Sequence, residues 1–364
     1  GLQMEKFEII ITTLFGLESL VAREVRRLGY ETTSVEDGRV TFMGDNEAVC
    51  RANMWIRTGE RVLIKTAEFT AVTFDELFEK TKAVDWSKWI GKNDAFPVKG
   101  YSLKSTLASA RDCQAIIKKA TAESLSNKYG IEWLPEDGAN YQIQFSIFKD
   151  KVTLMIDTSG EGLHKRGYRQ HSNVAPLKET LAAAMVDLSR VRANHFVTDP
   201  MCGSGTILIE AAMKALNIAP GLNRYFACEH WNCVPKDVFE TARENARQKI
   251  RHDATFRATG YDIDDSALAI AKKNAEIAGV ADRITFANRD IKDFELEDGF
   301  QTIITNPPYG ERLLDVKSAE KLYAVMGEHF KRMKGKSYTV ISPDDDFEKI
   351  FGRKADKRRK LYNG

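Results

Sequence analysis

The chain lacks any apolar run of the roughly 18 residues that a membrane-spanning helix requires, so a helical membrane protein is not expected. Cysteine is sparse and odd in number: five, at Cys50, Cys113, Cys202, Cys228 and Cys233. No two form a C-x-x-C pair, which supports neither a zinc ribbon nor a disulfide framework, and a reducing cytoplasm suits free thiols. Histidines are few and dispersed, none at metal-ligand spacing, so no catalytic metal is expected. An excess of one charge is missing too: the net charge of +2 says almost nothing about nucleic acid. Repeats and low-complexity tracts are absent. Gly1-Leu2-Gln3 ahead of Met4 reads as a cloning remnant and not as a targeting segment. What is present, 43% hydrophobic and 29% charged residues over 364 positions, fits a globular protein of two or three domains.

The first stretch alternates strand and helix signals. Phe7 to Thr13 is a β-branched run. Gly16 to Leu28 places Leu17, Leu20, Val21 and Val25 at helical spacing, and Gly29 ends it. Arg39 to Met43 reads as a strand, Asp45 caps a helix through Asn53, Arg61 to Phe69 is a strand and Phe74 to Lys82 a helix. This order suits a small ferredoxin-like α+β unit. A second α+β group follows: a strand at Ala95 to Ser102, a helix at Arg111 to Tyr129 with Ala115, Ile116, Ala120 and Leu125 inward, and alternating strands either side of a Lys149-Asp150 turn. The glycine-rich basic stretch Gly160 to Arg169 reads as a linker. After it, strands at His195 to Thr198, Arg257 to Tyr261, Ile284 to Ala287, Thr302 to Thr305 and Tyr338 to Ser342 alternate with helices, the grammar of an open, mostly parallel sheet.

Four motifs end those strands. Asp199-Pro-Met-Cys202-Gly203-Ser204-Gly205-Thr206 precedes a helix, and glycines at such a turn admit a ligand close to the backbone. Its spacing is neither the dinucleotide fingerprint nor a P-loop. Gly260-Tyr-Asp262-Ile263-Asp264 offers Asp262 to ribose hydroxyls, leaving Asp264 or Asp265 to cap the next helix. Asn288-Arg-Asp290-Ile291 offers a carboxylate to an adenine amino group and Ile291 to the ring. A surface Asp after a strand is also common. Asn306-Pro307-Pro308-Tyr309 is the most pointed. Two prolines fix the backbone, the Asn306 amide oxygen and Pro307 carbonyl can accept both N–H bonds of an amino group, and Tyr309 can stack on the attached ring.

DPMCGSGT, GYDID, NRDI and NPPYG in this order resemble the Rossmann-like class I methyltransferase fold with an amino-methylating motif. HKRGYRQHSNVAPLKETLAAAMV (residues 164–186) and the terminal KLYNG resemble bacterial RNA guanine-N2 methyltransferases that carry a THUMP domain, and the N-terminal half shares that layout. The resemblance implies a ferredoxin-like domain over residues 4–65, a THUMP RNA-binding domain over 66–160 and a methyltransferase domain over 161–364. It implies S-adenosylmethionine as cofactor and S-adenosylhomocysteine as product. The implied target is guanine N2, in large-subunit rRNA or, in a sister group, tRNA. Adenine-N6 DNA enzymes and glutamine methyltransferases share the fourth motif, and a non-catalytic RNA-binding assembly factor is the rival from another class.

Carried over by position, Asp199, Cys202, Gly203, Ser204, Gly205 and Thr206 shape the methionine end of the cofactor pocket. Asp262 holds the ribose, Ile263 beside it is a further cofactor-binding position, and Asp290 and Ile291 meet the adenine. Asn306, Pro307, Pro308 and Tyr309 hold the target base. Arg169, Lys178, Glu179 and Thr180 resemble the part that reaches the methionine carboxylate and amine, although a basic linker and a helix start explain them equally well. The basic residues Lys99, Lys104, Arg111, Lys118, Lys119, Lys165 and Arg166 are candidates for RNA phosphates, or else a solvated surface. Two departures stand out. Residues 217–256 form an insertion that either shapes the base pocket or packs through Phe226 and Trp231. The antiparallel strand that ordinarily closes this class has no segment left for it, which implies a shortened end or a tail outside the sequence.

Overall fold

A computed structural model describes residues 5–169, 177–308, 313–342 and 347–360, with the side chains of 313–315 left out. The chain divides into two compact units: Gly1–Leu163 with Tyr225–Arg243, and His164–Arg224 with Glu244–Asn363.

The first unit is built on seven strands: β1 (Phe7–Thr12), β2 (Thr32–Glu36), β3 (Arg39–Gly44), β4 (Arg61–Thr70), β5 (Val98–Leu103), β6 (Ile143–Phe148) and β7 (Lys151–Asp157). Their order is β2-β3-β1-β4-β7-β6-β5, and within it only β5 and β6 run parallel. The helices are α1 (Glu18–Arg27), α2 (Asn46–Trp55), α3 (Phe74–Lys82) and α4 (Ala110–Tyr129). Local chemistry explains their ends. The Asp45, Thr73 and Ser109 side chains accept the first free N–H groups of α2, α3 and α4, and Gly130 closes α4 in the left-handed region at φ 66°.

One expectation needs correction here. The inward stripe of α4 is Cys113, Ile117, Ala120, Thr121 and Leu125; Ala115 is exposed and Ile116 half-buried. The expected border between residues 65 and 66 falls inside β4, which pairs with β1 through its first half and with β7 along its length, so one sheet runs through both α+β groups.

The second unit holds α5 (Glu179–Leu188), β8 (Phe196–Asp199), α6 (Thr206–Ala215), β9 (Arg257–Asp262), α8 (Asp265–Ile277), β10 (Ile284–Asn288), β11 (Gln301–Thr305), α9 (Leu313–His329), β12 (Lys336–Val340) and α10 (Phe347–Phe351). Helix α7 (Val238–Gln248) contains the unit division. The five strands are all parallel, in the order β10-β9-β8-β11-β12. Strand order therefore reverses between β8 and β11, which opens a crevice at their carboxyl ends. The stretch expected to be a linker is packed: Leu163, Arg166 and Tyr168 are all buried. Residues 225–243 of the insertion belong to the first unit, where Trp231 stacks on Tyr141 at 4.4 Å between ring centres and donates to the Asn140 carbonyl. Phe226 is buried against Phe239. Of the two readings of the insertion, packing is the one observed.

Candidate active site

All four motifs lie at the carboxyl ends of adjacent parallel strands, and hydrogen bonds tie their loops together. The Cys202 N–H donates to the Tyr261 carbonyl, and the Gly203 N–H to Asp262 Oδ2 at 2.9 Å. The Arg289 N–H donates to the Asp262 carbonyl. The other Asp262 oxygen accepts from the Asp264 N–H, and Asp264 itself caps α8, so the carboxylate proposed for ribose and the capping carboxylate are separate groups. Gly203 and Gly205 both sit in the left-handed region, at φ 52° and 83°. A side chain at Gly203 would point into open space, so the room beside this turn is available to a ligand.

Asp199 is 2% exposed. Its Oδ1 accepts from the Met201 N–H at 3.0 Å and from the Thr305 hydroxyl at 2.8 Å. Burial pushes its carboxyl up to about 7, opposed by those two hydrogen bonds and helped by the charge of Asp262. Thr305 is the residue before Asn306. The first and fourth motifs are thus joined through one buried hydroxyl across the β8–β11 switch. Asn306 is half-buried, Pro307 buried and Pro308 exposed; Tyr309 lies outside the described residues.

Ile263 is 68% exposed at the end of the second motif. Ile291 is instead buried in the core with Phe294, Ile303 and Tyr323. Asp290 accepts from the Lys292 N–H and so also serves as a local cap.

The lead-in segment is more deeply engaged than its sequence indicates. One Arg169 nitrogen, Nη2, donates to the Leu177 carbonyl at 2.8 Å and to the Thr206 hydroxyl at 2.7 Å, and lies 3.2 Å from Glu179. Its Nε and Nη1 are buried with no acceptor among the described residues. Burial raises the Glu179 carboxyl, opposed chiefly by Arg169. Glu179 and Thr180 are buried at the start of α5, whereas Lys178 is exposed and its side chain makes no cap.

Among the RNA candidates, Lys99, Lys104, Arg111, Lys119 and Lys165 are exposed. Arg166 is corrected: it is 2% exposed and pairs with Glu210 at 2.9 Å, so it cannot meet a phosphate. Lys118 is half-buried, 2.6 Å from Glu136 and 3.5 Å from the centre of the Phe96 ring, which commits its charge within the unit. Sequence reasoning missed Glu210, which accepts from both Arg166 and the Tyr168 hydroxyl, and it missed Thr305. The available signal for Glu210 was a lone carboxylate in the otherwise apolar helix TILIEAAMKA. Among the described residues no three His, Cys, Asp or Glu side chains converge as a metal site, and no helix is long and apolar enough to cross a membrane.

Residues 166–364 match the family described as "RMKL-like, methyltransferase domain". The chain belongs to that family. Ahead of it, residues 8–63 match the RlmL ferredoxin-like domain and residues 71–157 the THUMP domain. The RMKL-like chain is 47% identical over 363 residues to "Putative RNA methyltransferase YpsC" of Bacillus subtilis, covering 99% of this chain and 94% of that one. It is 34% identical to "Ribosomal RNA large subunit methyltransferase K/L" of Syntrophotalea carbinolica, covering 96% of this chain but spanning only 51% of that relative. Among solved structures, a "predicted N6-adenine-specific DNA methylase" from Listeria monocytogenes superposes with a TM-score of 0.94 at 48% identity, covering 98% and 94% of the two chains. "SMU.472, a putative methyltransferase complexed with SAH" gives 0.93 at 41% identity, covering 100% and 96%.

Proposed function

We propose that this chain methylates the exocyclic N2 of a guanine in RNA, with large-subunit ribosomal RNA as the substrate, working in the cytoplasm with S-adenosylmethionine as donor. The observation that carries the reading is the position of Asn306 and Pro307 at the end of β11, one strand from the Asp199 turn and joined to it through Thr305. The THUMP match and the RNA names of the relatives support RNA as the substrate class.

The residues fit the donor. Arg169 presents two buried nitrogens, Nε and Nη1, that have no acceptor among the described residues and are suited to a carboxylate. The turn at Gly203 has open space beside it, and exposed Ile263 can cover a purine. Asp262, fixed by two backbone N–H groups, keeps lone pairs for ribose hydroxyls. When bound, S-adenosylmethionine supplies a methyl group made electrophilic by its sulfonium charge.

The chain's own task is position. The Asn306 amide oxygen and the Pro307 carbonyl accept the two amine N–H bonds and turn the nitrogen lone pair toward the methyl carbon. Pro308 keeps the turn rigid, and Tyr309 is assigned to stack on the base. As the N–C bond forms, the methyl group's bond to the donor sulfur would break and its electron pair would stay on sulfur, leaving S-adenosylhomocysteine; one amine proton becomes acidic and leaves to water or to a carbonyl, so no strong general base is required. A base buried in a helix must first be unpaired or flipped.

Methyl incorporation into rRNA, tRNA, duplex DNA and protein, followed by nucleoside mass spectrometry, tests the reading; label on N2-methylguanosine of rRNA is the expected result. N2-methylguanosine in tRNA would move the substrate and keep the chemistry. A second reading, adenine N6 in DNA, is favoured by the Listeria structure's title, and N6-methyladenine in the DNA arm would establish it. Asn306→Ala should lower turnover by at least 100-fold while leaving cofactor affinity nearly unchanged; this follows from losing one positioned acceptor. Unaltered turnover would remove Asn306 from its role.

A further inference from the structure

Helix α6 carries two buried polar residues one turn apart, Thr206 and Glu210. Residues at that spacing share a helix face. The stretch that leads into the second unit meets both of them. Arg166 Nη2 donates to Glu210 Oε1 at 2.9 Å, and the Tyr168 hydroxyl donates to Oε2 at 2.8 Å, so each carboxylate oxygen holds a different residue of one short segment. The next residue, Arg169, donates from Nη2 to the Thr206 hydroxyl at 2.7 Å. Gly167 permits the turn between Arg166 and Tyr168. Its φ is 97°, and a Cβ there would lie 2.7 Å from the Asn223 carbonyl oxygen.

The arrangement is costly. Arg166 and Tyr168 are each 2% exposed and Glu210 is 1% exposed. Taking a carboxylate and a guanidinium out of water costs about as much as their attraction returns. Such a pair adds little stability over apolar side chains of the same volume, but it fixes direction. Here it fixes the approach to Arg169. The Nη2 of Arg169 is engaged by the Leu177 carbonyl and Thr206 and lies 3.2 Å from Glu179. Its Nε and Nη1 remain buried without an acceptor among the described residues. A guanidinium holds its donors in one plane, so a shift of the chain at Tyr168 would turn both nitrogens together.

We propose that Glu210 is a positioning residue for the methyl donor: by gripping Arg166 and Tyr168 it aims Arg169 at the donor's carboxylate. The inference rests on the reading above that Arg169 meets that carboxylate, and it adds the residue that directs the contact. The effect is selective, because only a ligand with a carboxylate feels it.

Calorimetric titration of the full chain with two probes tests this. S-adenosylhomocysteine carries the amino-acid arm, and methylthioadenosine is a thioether nucleoside without it. The ratio of their affinities isolates what the arm contributes. Tyr168→Phe should weaken S-adenosylhomocysteine by roughly 5-fold, the worth of one net hydrogen bond, and leave methylthioadenosine unchanged. Glu210→Gln keeps the side-chain length and removes the charge that Arg166 faces, so it should lower the ratio by roughly 10-fold. Arg169→Ala removes the contact itself and should lower the ratio by roughly 10- to 100-fold. Circular dichroism checks that each variant is folded at the titration temperature, and Tyr168→Phe decides the matter if Glu210→Gln is not. An unchanged ratio in the folded Tyr168 and Glu210 variants overturns the proposal, even if both affinities fall together, since a merely structural residue would loosen both ligands alike. If Arg169→Ala lowers the ratio and the other two do not, the positioning role fails and the donor reading stands. If Arg169→Ala also leaves the ratio unchanged, the assignment of Arg169 to the carboxylate fails with it. If the wild type binds neither compound, the donor reading itself fails.

Discussion

Asp199 and Thr305 stand 106 positions apart in sequence and 2.8 Å apart in space. Their bond places a titration at the junction of the two motif loops. The Asp199 carboxyl lies near 7 in the folded protein against 3.8 ordinarily. The folded state therefore holds this proton more tightly than the unfolded chain does. The stability it contributes is fullest below about pH 4, declines as pH rises toward 7 and is lost above that. Asp199→Asn keeps the shape and removes the buried charge. It should melt above the wild type at pH 8, by an amount on the order of a few kcal/mol, and the difference should shrink by pH 5. An equal gap at both pH values would show that burial does not set the proton affinity. Thr305→Val removes the donor that holds this carboxyl down, so the acid limb of the methyl-transfer profile should move to higher pH, and Thr305→Ser should restore it. At this scale the motifs were legible because each puts uncommon residues at a strand end. Thr305 was not: a threonine closing a β-branched strand is ordinary, and its partner is fixed only by the neighbouring strand.

Helix α6 shows what an element owes to one polar residue. Nine of its ten side chains are buried, and Glu210 among them binds both Arg166 and the Tyr168 hydroxyl. These two bonds hold the segment leading to Arg169 against the helix whose first residue, Thr206, receives Arg169. Tyr168→Phe should cost about 1 kcal/mol in urea unfolding, the value of one buried hydrogen bond. Glu210→Ala should cost about 3–5 kcal/mol, since Arg166 then stays buried without its counter-charge. Similar losses from both variants would dissolve the distinction between a hydrogen bond and a charge pair. Element positions were largely readable, since apolar periodicity and capping residues mark them. Strand β2 was not, because TTSVE at a sheet edge has no apolar alternation to display. The face of α4 was misread because Ala115 carries little apolar area, while Cys113 and Thr121, less apolar on paper, point inward.

At the scale of the molecule, domain order in sequence differs from membership in space. Tyr225–Arg243 follows three elements of the second unit yet completes the first. Residues 164–364 produced alone should expose Phe226, Cys228 and Trp231 and aggregate, and replacing 225–243 with a short polar linker should restore solubility; light scattering would report both. No periodicity could reveal this membership, because it depends on a stack between Trp231 and Tyr141, 90 positions apart. The same feature imposes a timetable on synthesis. Leu163 leaves the ribosome 80 residues before Arg243 (243 minus 163), a delay of roughly 4–16 s at about 5–20 residues per second. Throughout that interval the nascent first unit lacks its last piece, and Tyr141 faces water until the segment that covers it has been made.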